Sequence, residues 1–171
     1  MRTQMSTSCY IGVIENGKYK HIYCHWDGDP IGVGSLLVSD YSNTIKIREL
    51  LELGDISCLA SRVPTSASKA IFDNLRKQED GLEKIDQYCS DNSLTLSYKM
   101  WRGDNSSPKL TNFGSLVAEV EDQMVSYVYI HNNNHWSYMS RSEVKDYVGL
   151  LSQGCYPGAH NLGCPAFAFE R

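Results

Sequence analysis

The chain has no apolar run approaching the roughly 20 residues that a membrane-spanning helix needs. Its first residues, Met1 to Ser8, lack the apolar core of a secretory signal. Both absences point to a cytoplasmic protein with no membrane partner. Positive charge is not in excess either: 16 Lys and Arg stand against 20 Asp and Glu, for a net charge of −4. Non-specific nucleic-acid binding rests on counterion release by Lys and Arg, so an acidic chain argues against it. A local basic pocket for a small anionic ligand stays open. There is no Gly-x-Gly-x-x-Gly fingerprint and no phosphate loop ending in Lys-Ser/Thr. No Cys-x2-Cys knuckle, internal repeat or interdomain linker is present. The six cysteines are scattered without framework spacing. In a reducing compartment they read as small buried thiols.

What is present is concentrated at one corner. Tyr23-Cys24-His25-Trp26-Asp27-Gly28-Asp29-Pro30, continuing through Gly32 and Gly34, places a His, a Trp, two Asp and three Gly between an expected strand and an expected helix. The strand comes from a hairpin over residues 9–26. Asn16-Gly17 is the favoured two-residue turn, because both central positions need positive φ. Tyr19, His21, Tyr23 and His25 then alternate with Lys20, Ile22, Cys24 and Trp26. Aromatics on both faces predict a sheet covered on both sides at this point.

The rest of the chain supplies helices and a second hairpin. Helices are expected over Val33 to Tyr41 and from the N-cap Asn43 to the stop at Gly54. Asp55 to Leu59 is a short apolar segment whose state the pattern leaves open. Ser66 to Lys77 and Leu82 to Tyr88 have helical spacing. Leu94 to Met100 alternates like a strand and runs into a polar loop, Trp101 to Pro108. A helix from Asn112 follows, with Phe113, Leu116, Val117, Val120 and Met124 at three- and four-residue steps. Val125 to Ile130 and Trp136 to Met139 form a hairpin about Asn132-Asn133-Asn134. Ser140 to Glu143 is a capping box opening a last helix. The expected fold is α+β: an antiparallel sheet built from two β-hairpins plus a further strand, with helices packed on it. Residues 1–171 form one domain, with 152–171 as an irregular C-terminal arm.

At the corner, His25 can transfer protons near neutral pH and Asp27 could orient it. Trp26 offers a stacking face. Gly28, Gly32 and Gly34 would let backbone N–H groups approach a ligand beside Asp29. Arg102 beside Trp101, with Asp104 close by, suits phosphate or carboxylate recognition with stacking. His131 and His135 bracket the second hairpin and could share a metal, but two ligands are too few. Cys155, His160 and Cys164 offer three more potential ligands in the tail, with spacing that does not match a zinc knuckle. Cys24 adjoins His25, yet neighbours on a strand point to opposite faces, so they make no nucleophile pair. Cys9 could meet a His from the paired strand. No metal and no cofactor is expected.

These residues resemble a family of small uncharacterised proteins found in bacteria and many of their phages. The resemblance rests on Met5-Ser6-Thr7 with Ile11, on Ile22 to Gly28 with Pro30 and Gly34, and on Leu53-Gly54-Asp55-Ile56-Ser57. Family members typically open with Met-Ser-Thr-Arg-Ser, which implies that Met5 aligns with their start, and carry a Tyr-x-His-Trp-Asp-Gly-Tyr-Pro corner. Tyr98, Arg102-Gly103-Asp104 and Tyr127 to Trp136 are similar in order and spacing. The resemblance covers roughly residues 5–140. Ser8, Cys9 and Asp29 depart from the pattern, standing where the family has Arg, Ser and Tyr. The resemblance implies a coherent fold and a phage origin, and carries no reaction with it.

The function expected is binding of a small anionic nucleotide, such as a cyclic nucleotide or an ADP-ribose derivative. A phage counter-defence protein would use it to sequester a host immune signal in the host cytoplasm. The alternatives are a hydrolase using His25 and Asp27 or Asp104, and a protein that inhibits a host enzyme through a surface patch. The aromatic tail, with Tyr156, Phe167 and Phe169, could serve that patch or a homo-oligomer interface.

Overall fold

The computed structural model describes residues 6–152 and 160–162. In chain order come β1 (Cys9–Glu15), β2 (Lys18–Cys24), a π-helical turn (Pro30–Gly34), α1 (Ser35–Asp40), α2 (Thr44–Glu52), β3 (Ile56–Cys58), α3 (Ser66–Arg76) and α4 (Gly81–Asp91). There follow β4 (Leu96–Ser97), α5 (Tyr98–Arg102), β5 (Lys109–Thr111), α6 (Phe113–Asp122), β6 (Tyr127–Asn132), β7 (His135–Ser140), α7 (Arg141–Ser152) and β8 (His160–Asn161).

The sheet runs β4-β3-β2-β1-β6-β7-β8, and β5 joins the outer edge of β2. The α+β class and both hairpins are present. The first hairpin turns at Asn16 and Gly17, with φ of 51° and 74°. The second turns at Asn133 and Asn134, with φ of 50° and 65°, a two-residue turn where the sequence suggests three. The sheet is mixed rather than wholly antiparallel. β1 pairs parallel with β6, from Cys9↔Tyr127 to Val13↔His131, and β2 pairs parallel with β3 at Cys24↔Ile56. Long intervening stretches of helix make the first of these pairings sterically open.

Alternation along β1 and β2 sends side chains to two cores. On one face Tyr10, Tyr19, Val128, Ile130 and Met139 pack under Phe113, Leu116 and Val120 of α6 and Val144 of α7. On the other face Ile11, Ile22, Tyr129 and Trp136 lie under Leu37 of α1 and Ile47, Leu50 and Leu51 of α2. Helices thus cover both faces of the central strands, as the aromatics on both sides of β2 require. A third cluster, Phe72, Ile85, Cys89, Leu94 and Leu96, ties α3 and α4 to the β4 end.

Several elements differ from their sequence pattern. The expected helix over Val33 to Tyr41 starts earlier, as the π-helical turn at Pro30, and becomes α only at Ser35. Leu94 to Met100 holds just two strand residues before α5 begins. The Ser97 hydroxyl accepts the Met100 N–H at 3.3 Å and stops the strand there. Trp101 and Arg102 therefore sit on a short helix, not in a loop. Asp55 to Leu59 resolves as β3, and Lys109 to Thr111 is a strand that no periodicity announces. Beyond Ser152, His160 and Asn161 pair with Tyr138 and Ser137, and Leu162 packs on the core beneath α1 and α2. The expectations for Cys155, Tyr156, Cys164, Phe167 and Phe169 lie outside the described residues. Among the described residues, no helix is long and apolar enough to cross a membrane.

Candidate functional site

The corner after β2 is held by its own backbone. Asp27 has φ of 55° and its side chain is buried. Its carbonyl accepts the Val33 N–H at 2.8 Å. The Gly28 N–H donates to the Thr7 carbonyl at 2.8 Å, and the Gly28 carbonyl accepts the Tyr129 hydroxyl at 2.8 Å. The Gly32 N–H goes to the Asp29 carboxylate at 2.9 Å and the Gly34 N–H to the Asp29 carbonyl at 3.3 Å. Gly28 and Gly32 are there for close packing, while a methyl group on Gly34 would find ordinary room. A methyl group on Gly28 would meet the Thr7 carbonyl oxygen at 2.8 Å. Their N–H groups are already used, so they do not present a cradle to a ligand. Asp29 likewise caps the π-helical turn, through Ile31 and Gly32.

His25 and Trp26 are half-exposed. Their rings meet edge to face at 4.6 Å. Backbone bonds to Ile56 and Ser57 dock both residues beside β3. The partner of His25 Nδ1 is the Tyr23 hydroxyl at 2.9 Å, not a carboxylate. Tyr23 is fixed from behind, because its N–H donates to Asp55 Oδ1 at 2.9 Å. Burial raises the Tyr23 phenol, with Ser8 pulling it down. The Tyr23 hydroxyl therefore stays protonated and can donate to Nδ1, which leaves Nε2 as the other ring nitrogen.

The second group is built on α5. Arg102 lies with its guanidinium carbon 4.2 Å from the Trp101 ring centroid and 5.3 Å from that of Tyr98. The two rings stack at 6.1 Å. The Trp101 indole N–H donates to the Leu82 carbonyl at 2.9 Å, and the Arg76 guanidinium grips the carbonyls of Met100 and Trp101. The platform is thus anchored to α3 and α4. Arg102 is exposed, and among the described residues no carboxylate pairs with it.

Tyr98 joins the two groups. Its N–H donates to the Asp55 carbonyl at 3.2 Å. Burial raises its phenol while Ser57 and Arg102 lower it, and the Tyr23 phenol is among the groups that act on it. Asp55 thus touches both groups, holding the Tyr23 N–H through its carboxylate and the Tyr98 N–H through its carbonyl. Asp104 lies in the exposed loop after α5, with no hydrogen bond or ion pair among the described residues. Ser106, further along that loop, ties it to the sheet by accepting the Asp55 N–H at 2.7 Å.

Sequence reasoning passes over Tyr23, Asp55 and Tyr98 as site residues. Tyr23 and Asp55 also frame a polar notch of about 80 Å3, lined besides by Tyr10, His21, Lys109 and Gln123. The Tyr10 hydroxyl is buried without a partner among the described residues. The alternation of Tyr19, His21 and Tyr23 is the one signal that could have marked this face. His21 Nε2 bonds the Thr111 hydroxyl at 3.0 Å, which donates to Glu119 at 3.1 Å.

Two other arrangements fall away. The ladder pairs His131 with Trp136 and Asn132 with His135, so the two histidines point to opposite faces and cannot share a metal. Cys9 lies opposite Cys24, not opposite a His. Cys9 is fully buried, and burial pushes its thiol up, away from nucleophilic character. Cys24, Cys58 and Cys89 are buried as well. Among the described residues no three His, Cys, Asp or Glu side chains converge on a metal position. Comparison with known protein families, with curated proteins and with solved structures finds no match to this chain.

Proposed function

We propose that the protein binds a small anionic nucleotide at the edge formed by His25, Tyr23, Tyr98, Trp101 and Arg102. The observation that carries this reading is the Arg102 guanidinium, stacked on an anchored indole at 4.2 Å with no carboxylate among the described residues to neutralise it. A guanidinium in that state offers two kinds of recognition. Its edge donates to phosphate oxygens, and its plane extends the Tyr98–Trp101 stack for a base. The imidazole of His25, oriented by Tyr23, adds a donor or acceptor at the other end. In this reading Asp27, Gly28, Asp29, Gly32 and Gly34 shape the corner without touching the ligand.

The ligand is held rather than converted. The hydrolase reading pairs His25 with Asp27 or Asp104, and its Nδ1 bonds the Tyr23 hydroxyl instead. A phage-encoded protein of this kind, working in the host cytoplasm, would act by sequestering a nucleotide immune signal. Thermal-shift screening with cyclic nucleotides and ADP-ribose derivatives tests the reading. At least one should stabilise the protein and be recovered chemically intact after binding. Arg102→Ala should weaken that ligand about ten- to a hundredfold, the worth of one charge-assisted hydrogen bond. No shift with any of them contradicts the proposal, and turnover that disappears in His25→Ala favours the hydrolase.

A further inference from the structure

A cleft of about 860 Å3 opens beside α4 and shares no residue with the edge site. One wall is a face of α4: Glu83, Asp86, Gln87 and Ser90 stand at steps of three and four and all line it. Leu36 of α1, the residues around Ala60 and the start of β4 supply the rest. The four residues of the α4 stripe are exposed, whereas Leu94 and Leu96 are 4% exposed. The polar stripe is therefore the rim, and aliphatic side chains lie at the bottom.

The charge on this rim has one sign. Among the described residues that line the cleft none is Lys, Arg or His, and neither Glu83 nor Asp86 makes an ion pair among the described residues. Neighbouring basic groups are engaged elsewhere. Lys84 Nζ donates to Gln78 Oε1 at 3.1 Å, Arg62 to the Asn92 carbonyl at 3.3 Å, and Lys46 Nζ to the Ser61 carbonyl at 2.7 Å. Burial first, and then the Asp86 charge, push the Cys89 thiol up to about 12, so the thiol stays neutral and the Asp86 field reaches the lining. Gln87 gives an amide N–H to Asp91 at 2.7 Å and keeps its carbonyl oxygen as an acceptor.

Residues three apart on a helix have Cβ atoms about 5–6 Å apart, the reach of the short methylene spacers between the amines of a polyamine. From the unneutralised carboxylate pair, the lining without a basic residue and the aliphatic floor we infer that this cleft binds an aliphatic polyamine. Its ammonium groups lie on Glu83 and Asp86, and its methylene chain lies over Leu94 and Leu96. An exposed ion pair contributes little by itself, so contact with the methylene chain is what separates a polyamine from a bare cation. The ligand is opposite in charge to the one proposed at Arg102, and the two sites stand or fall separately.

The test follows the backbone amides of α4 by NMR at low salt while putrescine and spermidine are added singly. Magnesium ion, equal in charge to putrescine, is the bare-cation control, and a capped Leu-Lys-Leu tripeptide is the peptide control. Both amines should shift the Glu83 to Ser90 amides saturably and bind more tightly than either control. Glu83→Gln with Asp86→Asn should weaken spermidine about tenfold, the worth of two exposed ion pairs. Glu49→Gln with Asp122→Asn removes the same charge at exposed positions outside the cleft and should leave the affinity unchanged. Ser90→Lys puts a cation on the stripe and should weaken spermidine too, which covers the case of a poorly folded double variant. Four results overturn the inference: no saturable shift on α4, magnesium binding as tightly as putrescine (an acidic patch only), the tripeptide binding more tightly (a basic-peptide site), or equal spermidine affinity in the wild type and the neutralised protein.

Discussion

His21 lies between Tyr10 and Tyr19, its ring 4.3 and 4.7 Å from theirs, and burial brings its pKa down to about 4 from 6.5. In the unfolded chain it titrates near its ordinary value, so between those two pH values the unfolded state binds the extra proton. Stability is therefore full above about pH 6.5 and falls as the pH drops towards 4. The whole loss from this group is about 3 kcal/mol. His131 is lowered in the same direction and adds to the slope. Urea unfolding at stepped pH should record the fall, and His21→Gln should flatten much of it. A wild-type curve that is flat over that window would mean that His21 is solvated. A second prediction concerns Tyr129, whose hydroxyl is the buried partner of the Gly28 carbonyl. Tyr129→Phe strands that carbonyl and should lower stability by about 1–3 kcal/mol. An unchanged urea midpoint would mean that the corner is not locked from beneath.

At the scale of elements, the corner and the platform are rigid for different reasons. The π-helical turn is fixed by Asp29 and by a packing contact that leaves Gly28 no room for a Cβ. Gly28→Ala should speed amide exchange at Val33 and Gly34 and leave the second hairpin unaffected. Asp29→Ala should cost about 1 kcal/mol as a lost cap. The long, periodic elements could be read directly from the chain. Asn16-Gly17, the Asn43 cap and the stripe of α6 each carry a local signal several residues long. β4 and β5 could not, because two and three residues are too short to establish a period. Leu94, Leu96, Tyr98 and Met100 alternate convincingly, yet Ser97 caps a helix in the middle of them. The mixed character of the sheet was hidden for another reason. The pairing of β1 with β6 joins segments far apart in the chain, and nothing local in either one encodes the direction of its neighbour.

On the scale of the whole molecule, the mixed sheet separates two ends of different chemistry. His25 leaves the sheet at one end of β2, and at the other end a cleft with two charges of each sign on its rim lies between the hairpin turns and α2. Arg102 and Trp101 were legible because their chemistry is unusual in itself. Their connection to His25 was not, since it passes through Tyr98 and Asp55, which the fold brings in from separate elements. The chain carries a net charge of −4, so the proposed anionic ligand would be drawn in by local groups against the overall field. The measurement that bears most directly on this is a titration of Trp101 fluorescence with ADP-ribose and with cyclic nucleotides, using Trp26→Phe protein to reduce the background. A saturable change for at least one nucleotide, displaced about ten- to a hundredfold in concentration by Arg102→Ala, is the predicted result. An emission that no nucleotide alters, or a binding curve identical with and without the guanidinium, would contradict it.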